Sequence, residues 1–186
     1  MSTRLLCSLA VAAVVLGAML ACGGESQPPF QTHTNSLKGF AITYPTTWKE
    51  STFGHGADVE IMPAEEDDPN VFRDNVLVHV ETLPKPMALE DYFSLKIDKG
   101  VKVMPEYKEI EKGPATLGAT EARRLVYSYR HGNTLVTSIA YFTTSGQRGF
   151  MVLGSAVSEN FQKFKPQLES IIATFKIEKP DTAAQP

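Results

Sequence analysis

The stretch from residue 122 to residue 157, ARRLVYSYRHGNTLVTSIAYFTTSGQRGFMVLGSAV, decides the fold. Three runs in it, 122–129, 135–142 and 149–157, are rich in β-branched and aromatic residues, the composition of strands. His131-Gly132-Asn133 and Ser145-Gly146-Gln147 separate them, and glycine takes the positive φ of a tight hairpin at little cost. Consecutive strands with links this short pair as an antiparallel meander.

Working outward, the stretch after the meander changes period. Phe161, Phe164, Leu168, Ile171, Ile172 and Phe175 fall on one helical stripe. Proline is disfavoured inside a helix, so the reading places a short turn from Ser158 and sets Pro166 in the first turn of the main helix. Toward the N-terminus, Phe40-Ala41-Ile42-Thr43-Tyr44-Pro45 alternates as a half-buried strand, and 57–62 and 75–81 are further strand candidates. Leu89, Tyr92, Phe93 and Ile97 recur at helical spacing, predicting a helix over 88–99 that stops at Gly100. Tyr107 to Glu111, followed by Gly113-Pro114 and a turn around Gly118, leads back to the meander. The order strands, helix, strands, helix predicts the α+β class with a mainly antiparallel sheet.

The N-terminus reads as an address. Arg4 precedes an apolar run over 5–20, and Met19-Leu20-Ala21-Cys22 follows. A charged start, an apolar middle and a small residue before the cut are the parts of a secretory signal. The Cys after Ala21 makes the segment resemble the lipobox of bacterial lipoproteins, in which cleavage after Ala21 frees Cys22 for acylation. The rival reading is a retained membrane span. Against it, the run is short, Cys7, Ser8 and Gly17 interrupt it, and no Lys or Arg follows before Lys38. The expected organisation is a signal peptide at 1–21, a lipidated Cys22 with a flexible tether over 22–36, a folded domain at 37–177 and a disordered tail at 178–186. Residues 23–36 are too polar, with Phe30 their single large apolar side chain, to bury much area.

Composition narrows the function. There are 18 Lys and Arg against 21 Asp and Glu, a formal charge of −3, with no basic block. Nucleic-acid binding, which needs clustered cations, is therefore not expected. The two cysteines are Cys7 and Cys22. Loss of one with the signal and acylation of the other leaves no disulfide, no thiolate metal site and no cysteine nucleophile in the domain. An apolar core has to hold it together.

No catalytic set emerges. His33 falls in the tether, His55 between two glycines, His79 in a strand and His131 in a turn, none at metal-binding spacing. Glu65-Glu66-Asp67-Asp68-Pro69-Asn70 lacks the alternation of a calcium loop and reads as a solvated acidic loop. Gly54-His55-Gly56 is too short for a phosphate cradle, and neither Ser145 nor Ser155 stands in a nucleophile elbow. Tyr127, Tyr129 and Tyr141, with Leu125 and Ile139, are expected on one face of the meander, either as core or as an open binding surface. Arg124, Ser128, Thr137 and Ser138 are expected nearer solvent. The expectation is no enzyme and no cofactor.

Several segments resemble one family in order. The "GF…YP…W" of 39–48, the strand 75–81, Leu117-Gly118-Ala119 with 121–129, and the closing helix through Phe175 are similar to PsbP-like and DcrB-related domains. The resemblance implies an α/β/α sandwich with a central, mainly antiparallel sheet. It further implies a protein that docks on other macromolecules rather than an enzyme. Joined to Cys22, it gives a membrane-anchored scaffold or binding module of the bacterial envelope with a protein partner. Such a module would lie on the extracytoplasmic side, on an outer membrane facing the periplasm where there is one. The alternative is a small-molecule-binding lipoprotein, recognised by a well-formed apolar pocket. Replacement Cys22→Ala should abolish lipid labelling and cleavage after Ala21, read by metabolic lipid labelling and intact mass; a processed, labelled variant would refute the anchor.

Overall fold

The computed structural model describes residues 29–51, 56–64 and 72–179. Five strands come first: β1 Phe30–Asn35, β2 Phe40–Pro45, β3 Trp48–Glu50, β4 Val59–Pro63 and β5 Asn75–Thr82. Helix α1, Leu89–Lys96, runs into a π-helical turn, Ile97–Val101. The meander is then β6 Lys108–Leu117, β7 Thr120–His131, β8 Thr134–Ser145 and β9 Arg148–Val157. Helix α2, Phe161–Ile172, and the two-residue β10, Lys176–Ile177, are the last elements of the described residues.

Seven strands form an antiparallel sheet in the order β3-β4-β5-β9-β8-β7-β6. The meander lies in it as its composition predicts, with two-residue turns at Gly132-Asn133 and Gly146-Gln147 whose glycines have φ of 56° and 61°. A smaller sheet, β1-β2-β10, joins both ends of the described chain.

The large sheet is apolar on both faces. On one, Val76, Val78, Val80, Val126, Ile139, Phe150 and Val152 meet Phe40 and Ile42 of β2 and Phe161, Leu168, Ile171 and Ile172 of α2. On the other, Leu125, Ala140, Phe142 and Leu153 meet Tyr92, Phe93, Ile97 and Val101. Each fully buried side chain of this size contributes about 1.5–3 kcal/mol. The result is an α/β/α sandwich, the fold class expected.

Four local readings change. Phe30–Asn35, read as tether, is a strand: its backbone ladder with β2, the Thr32–Thr43 hydroxyl contact at 2.8 Å and Gln31 Nε2 donating to the Trp48 carbonyl replace the apolar area its composition lacks. The first helix does not stop at Gly100. It widens so that Lys102 N–H donates to the Ile97 carbonyl, which keeps Phe93, Ile97 and Val101 buried against the sheet. Pro166 is the sixth residue of α2, not in its first turn. It is exposed, as is Gln162, so the carbonyl that Pro166 leaves unpaired is open to water. Finally, Gly113 and Pro114 do not end a strand but lie inside β6, because β6 is the sheet's edge and a proline there costs no inner ladder bond. β6 is also bulged between Glu109 and Glu111.

One side chain joins the two sheets. Arg148, at the start of β9, donates from Nη1 to the carbonyls of Lys38 (2.8 Å) and Gly39 (3.2 Å) and from Nη2 to that of Glu178 (3.3 Å). Its guanidinium lies 5.1 Å from the centre of the Phe150 ring. Glu178, assigned to the tail by composition, is thereby held, and its N–H donates to Gly39.

The approach of α1 to the sheet depends on a missing side chain. A Cβ at Gly149 would fall 2.4 Å from the Tyr92 ring. Gly149→Ala should therefore cost about 1–3 kcal/mol by overpacking. In a Tyr92→Ala background the same change should cost much less, a coupling that a double-mutant cycle of denaturant unfolding reads directly.

Candidate functional site

Cross-strand partners share a face, which settles the tyrosines. Tyr127 pairs with Ser138 and Tyr129 with Val136. Tyr127 and Tyr129 therefore lie with Leu125 on the α1 side, whereas Ile139 and Tyr141, expected beside them, belong to the α2 side. Covers on both sides make each face core and neither an open surface. Ser138 and Thr137, expected nearer solvent, are buried. They are satisfied in pairs: Ser138 with Ser155 and Thr137 with Ser158, each at 2.7 Å. Arg124, half-buried, pairs with Glu111 and reaches Glu169 of α2 at 3.8 Å. Burial raises the Tyr127 phenol above the ordinary range, and the neighbouring Tyr129 adds to this.

The histidines stay apart. His33 is not on a free tether: on β1 its Nδ1 lies 3.0 Å from Glu50 Oε1, which also accepts the Tyr44 hydroxyl at 2.7 Å. Its ring stacks on Phe40, with centroids 5.7 Å apart. His131 meets Phe72 edge-on, and His79 Nδ1 is 3.1 Å from the Gly56 carbonyl. Among the described residues no three His, Cys, Asp or Glu side chains converge as metal ligands do. Ala21, Cys22, His55 and the acidic stretch 65–70 lie outside the described residues.

Two grooves remain. One, of about 430 Å³, opens at the β7–β8 turn between Phe72, Leu135, Val157 and Glu159. The other, of about 220 Å³, lies between β5 and the end of α1, lined by Glu81, Leu95, Lys96, Lys99 and Gly100. Both are open to solvent. In the second, Lys96 Nζ sits 2.9 Å from Glu81 Oε1. The Tyr92 hydroxyl is buried beside the same carboxylate without meeting it in a well-formed hydrogen bond. Burial pushes Glu81 up, but Lys96 and the Tyr92 hydroxyl outweigh it, and the carboxyl titrates below its ordinary 4.5.

Sequence reasoning missed both carboxylate clusters. His33, Tyr44 and Glu50 come from three strands, and the alternation of Thr and polar residues in 30–35 was the signal for the first of them. Glu81 and Lys96 meet only because α1 folds back over β5.

This arrangement, a seven-stranded antiparallel sheet between a helix on one face and a helix with a small sheet on the other, is the PsbP-like class. Solved structures that share it include the cyanobacterial PsbP, CyanoP, of Synechocystis sp. PCC 6803, with a TM-score of 0.58 and 18% identity over 87% of this chain and 99% of that one. LpqN of Mycobacterium tuberculosis, involved in cell envelope biogenesis, has a TM-score of 0.59 and 16% identity over 80% and 91%. The Ran-binding protein Mog1p of Saccharomyces cerevisiae has a TM-score of 0.51 and 9% identity over 84% and 98%. At these identities the likeness speaks for the fold alone. Residues 41–174 match the DcrB family, and the chain belongs to it. No curated protein sequence matches.

Because Glu81 is lowered in the folded state, its pairing stabilises the protein above pH 4.5 and is lost as pH falls through the folded-state value. His79 on the same strand and Lys96 are the charges that face it. Glu81→Gln should lose about 0.5–1 kcal/mol at neutral pH, the scale of a half-exposed pair. It should also flatten the fall in stability as pH drops below the ordinary carboxylate value of 4.5, which urea unfolding at a series of acid pH values measures.

Proposed function

We propose that this chain is a cell-envelope lipoprotein, anchored through acylated Cys22 on the extracytoplasmic side of a membrane, whose domain serves as a non-enzymatic docking module for an envelope protein complex. In a cell with two membranes the anchor lies in the outer one and the domain faces the periplasm. The observation that carries the reading is the filling of both sheet faces. With α1 and α2 packed down, recognition falls to the outer surface of the domain. Membership of the DcrB family and the fold shared with LpqN, a protein involved in cell envelope biogenesis, support the envelope setting. Met19-Leu20-Ala21-Cys22 supports the anchor, and two or more acyl chains give stable attachment.

A second reading, small-molecule binding, draws on the groove of about 430 Å³ beside Leu135 and Val157, which is in the size range of ligand pockets. Its openness favours the first reading. Affinity purification of the tagged full-length protein from gently solubilised native membranes separates the two. The docking module should bring down one companion protein in near-equal amount. Recovery of the acylated protein alone, with no companion across several detergents, would transfer the case to the ligand reading.

A further inference from the structure

From the point where the chain enters the domain, we infer which end of the domain lies against the bilayer: the end carrying Pro29, Phe30 and the Thr46–Thr47 turn. The inference rests on the acylation of Cys22 proposed above.

Composition alone allows a tether reaching to Ser36. The strand β1 shortens it. Phe30 is eight positions after Cys22, a span of at most about 28 Å even when fully extended. The entry point is also fixed. Thr46 N–H donates to the Pro29 carbonyl at 2.8 Å, Phe30 pairs with Pro45, and Gln31 and His33 are held by Trp48 and Glu50.

Hydrogen bonds and register place this entry in the fold. Ala64 N–H donates to the Thr47 carbonyl, Trp48 pairs with Pro63, and the Arg73 guanidinium donates to the Pro63 carbonyl. Pro29 thus sits at the end of the sheet where β4 finishes and β5 begins. The opposite end carries the β8–β9 turn, the β6–β7 turn at Gly118-Ala119 and the loop before α1 that holds Lys85. The ten residues of β9 run between the two ends, about 33 Å. A tether shorter than the sheet lets the domain roll about its entry point but not turn over. The bilayer surface is therefore the occupant of the Phe30 end, where Phe30, 52% exposed, and Leu135, 41% exposed, are large apolar side chains open to it. An apolar ring there can enter the boundary between headgroups and acyl chains, as Phe does on interfacial helices.

The domain's lack of cysteine gives a clean test. With Cys7 removed and Cys22 acylated, any introduced cysteine is the one free thiol. The acylated protein would be placed in phosphatidylcholine vesicles carrying a nitroxide headgroup quencher. A neutral lipid avoids repulsion of the acids at 65–68, which the sequence places between β4 and β5. Fluorophores would be attached in the variants Phe30→Cys, Thr47→Cys, Lys85→Cys and Ala119→Cys, all at exposed positions. Labels at 30 and 47 should be quenched several-fold more than those at 85 and 119. Equal quenching at all four, or stronger quenching at 85 or 119, would overturn the orientation while leaving the anchor intact. Protein that carries no acyl mass and does not float with the vesicles would instead sink the anchor, and the orientation with it.

Discussion

The central sheet is apolar on both faces, and everything else in the fold answers to that. A one-sided sheet needs one cover and leaves the other face wet. Here β8 buries consecutive residues from Val136 to Ala140, so each face needs its own roof. The roofs come from separate parts of the chain: α1 is inserted between β5 and β6, and α2 follows β9. Strand β9 makes room for both. Gly149 lies under Tyr92, and a Cβ at Gly154 would fall 2.9 Å from the Leu168 Cβ. One missing side chain per face thus sets how near each helix comes, and so how dry each core is.

The second sheet is attached differently. Its β2 packs into the α2-side core, but its edges are gathered by Arg148 through backbone carbonyls rather than carboxylates. Those carbonyls belong to residues 110 and 109 positions before Arg148 and 30 after it. A planar, multidentate donor suits the task, since one guanidinium can satisfy three acceptors that a lysine could not reach together. Partial burial lowers its pKa, yet an arginine stays charged throughout the biological range. The joint is thus insensitive to pH, unlike the Glu81–Lys96 pair on the other side of the molecule.

The meander was legible because composition and turn chemistry agreed: Gly132 and Gly146 mark turns, and β-branched runs fill the spaces between. The α2 stripe was legible for the same reason, since Phe161, Leu168, Ile171 and Ile172 repeat at helical spacing. The errors arose where partners lie far along the chain. Phe30–Asn35 forms a strand because β2 waits beside it, which local polarity conceals. Pro166 and Pro114 sit inside elements because one faces solvent and the other lies on an edge, and neither fact is written locally. Tyr141 was assigned to the wrong face because parity between strands depends on register, and register is fixed by turn length to the residue. The carboxylate clusters at Glu50 and Glu81 were invisible for the same cause, being products of pairing and fold-back. The Cys22 segment, by contrast, is read locally or not at all.

Strand β6 carries a consequence for how these molecules behave in company. It is ten residues long, it borders the sheet, and most of it is exposed. Such a rim is a template on which a second copy can add its own strand, and then a third. Three features spoil the template. The bulge at Glu109–Glu111 breaks the spacing of the outward amides, Pro114 removes a donor, and Lys108, Glu109, Glu111 and Lys112 set charges along the rim. Two copies meeting antiparallel about Ile110 would bring Lys108 onto Lys112 and Glu109 onto Glu111, like charge against like. The β6 rim is thus a poor template for a second copy in that register, and the strand can stay long and exposed at the border of the sheet.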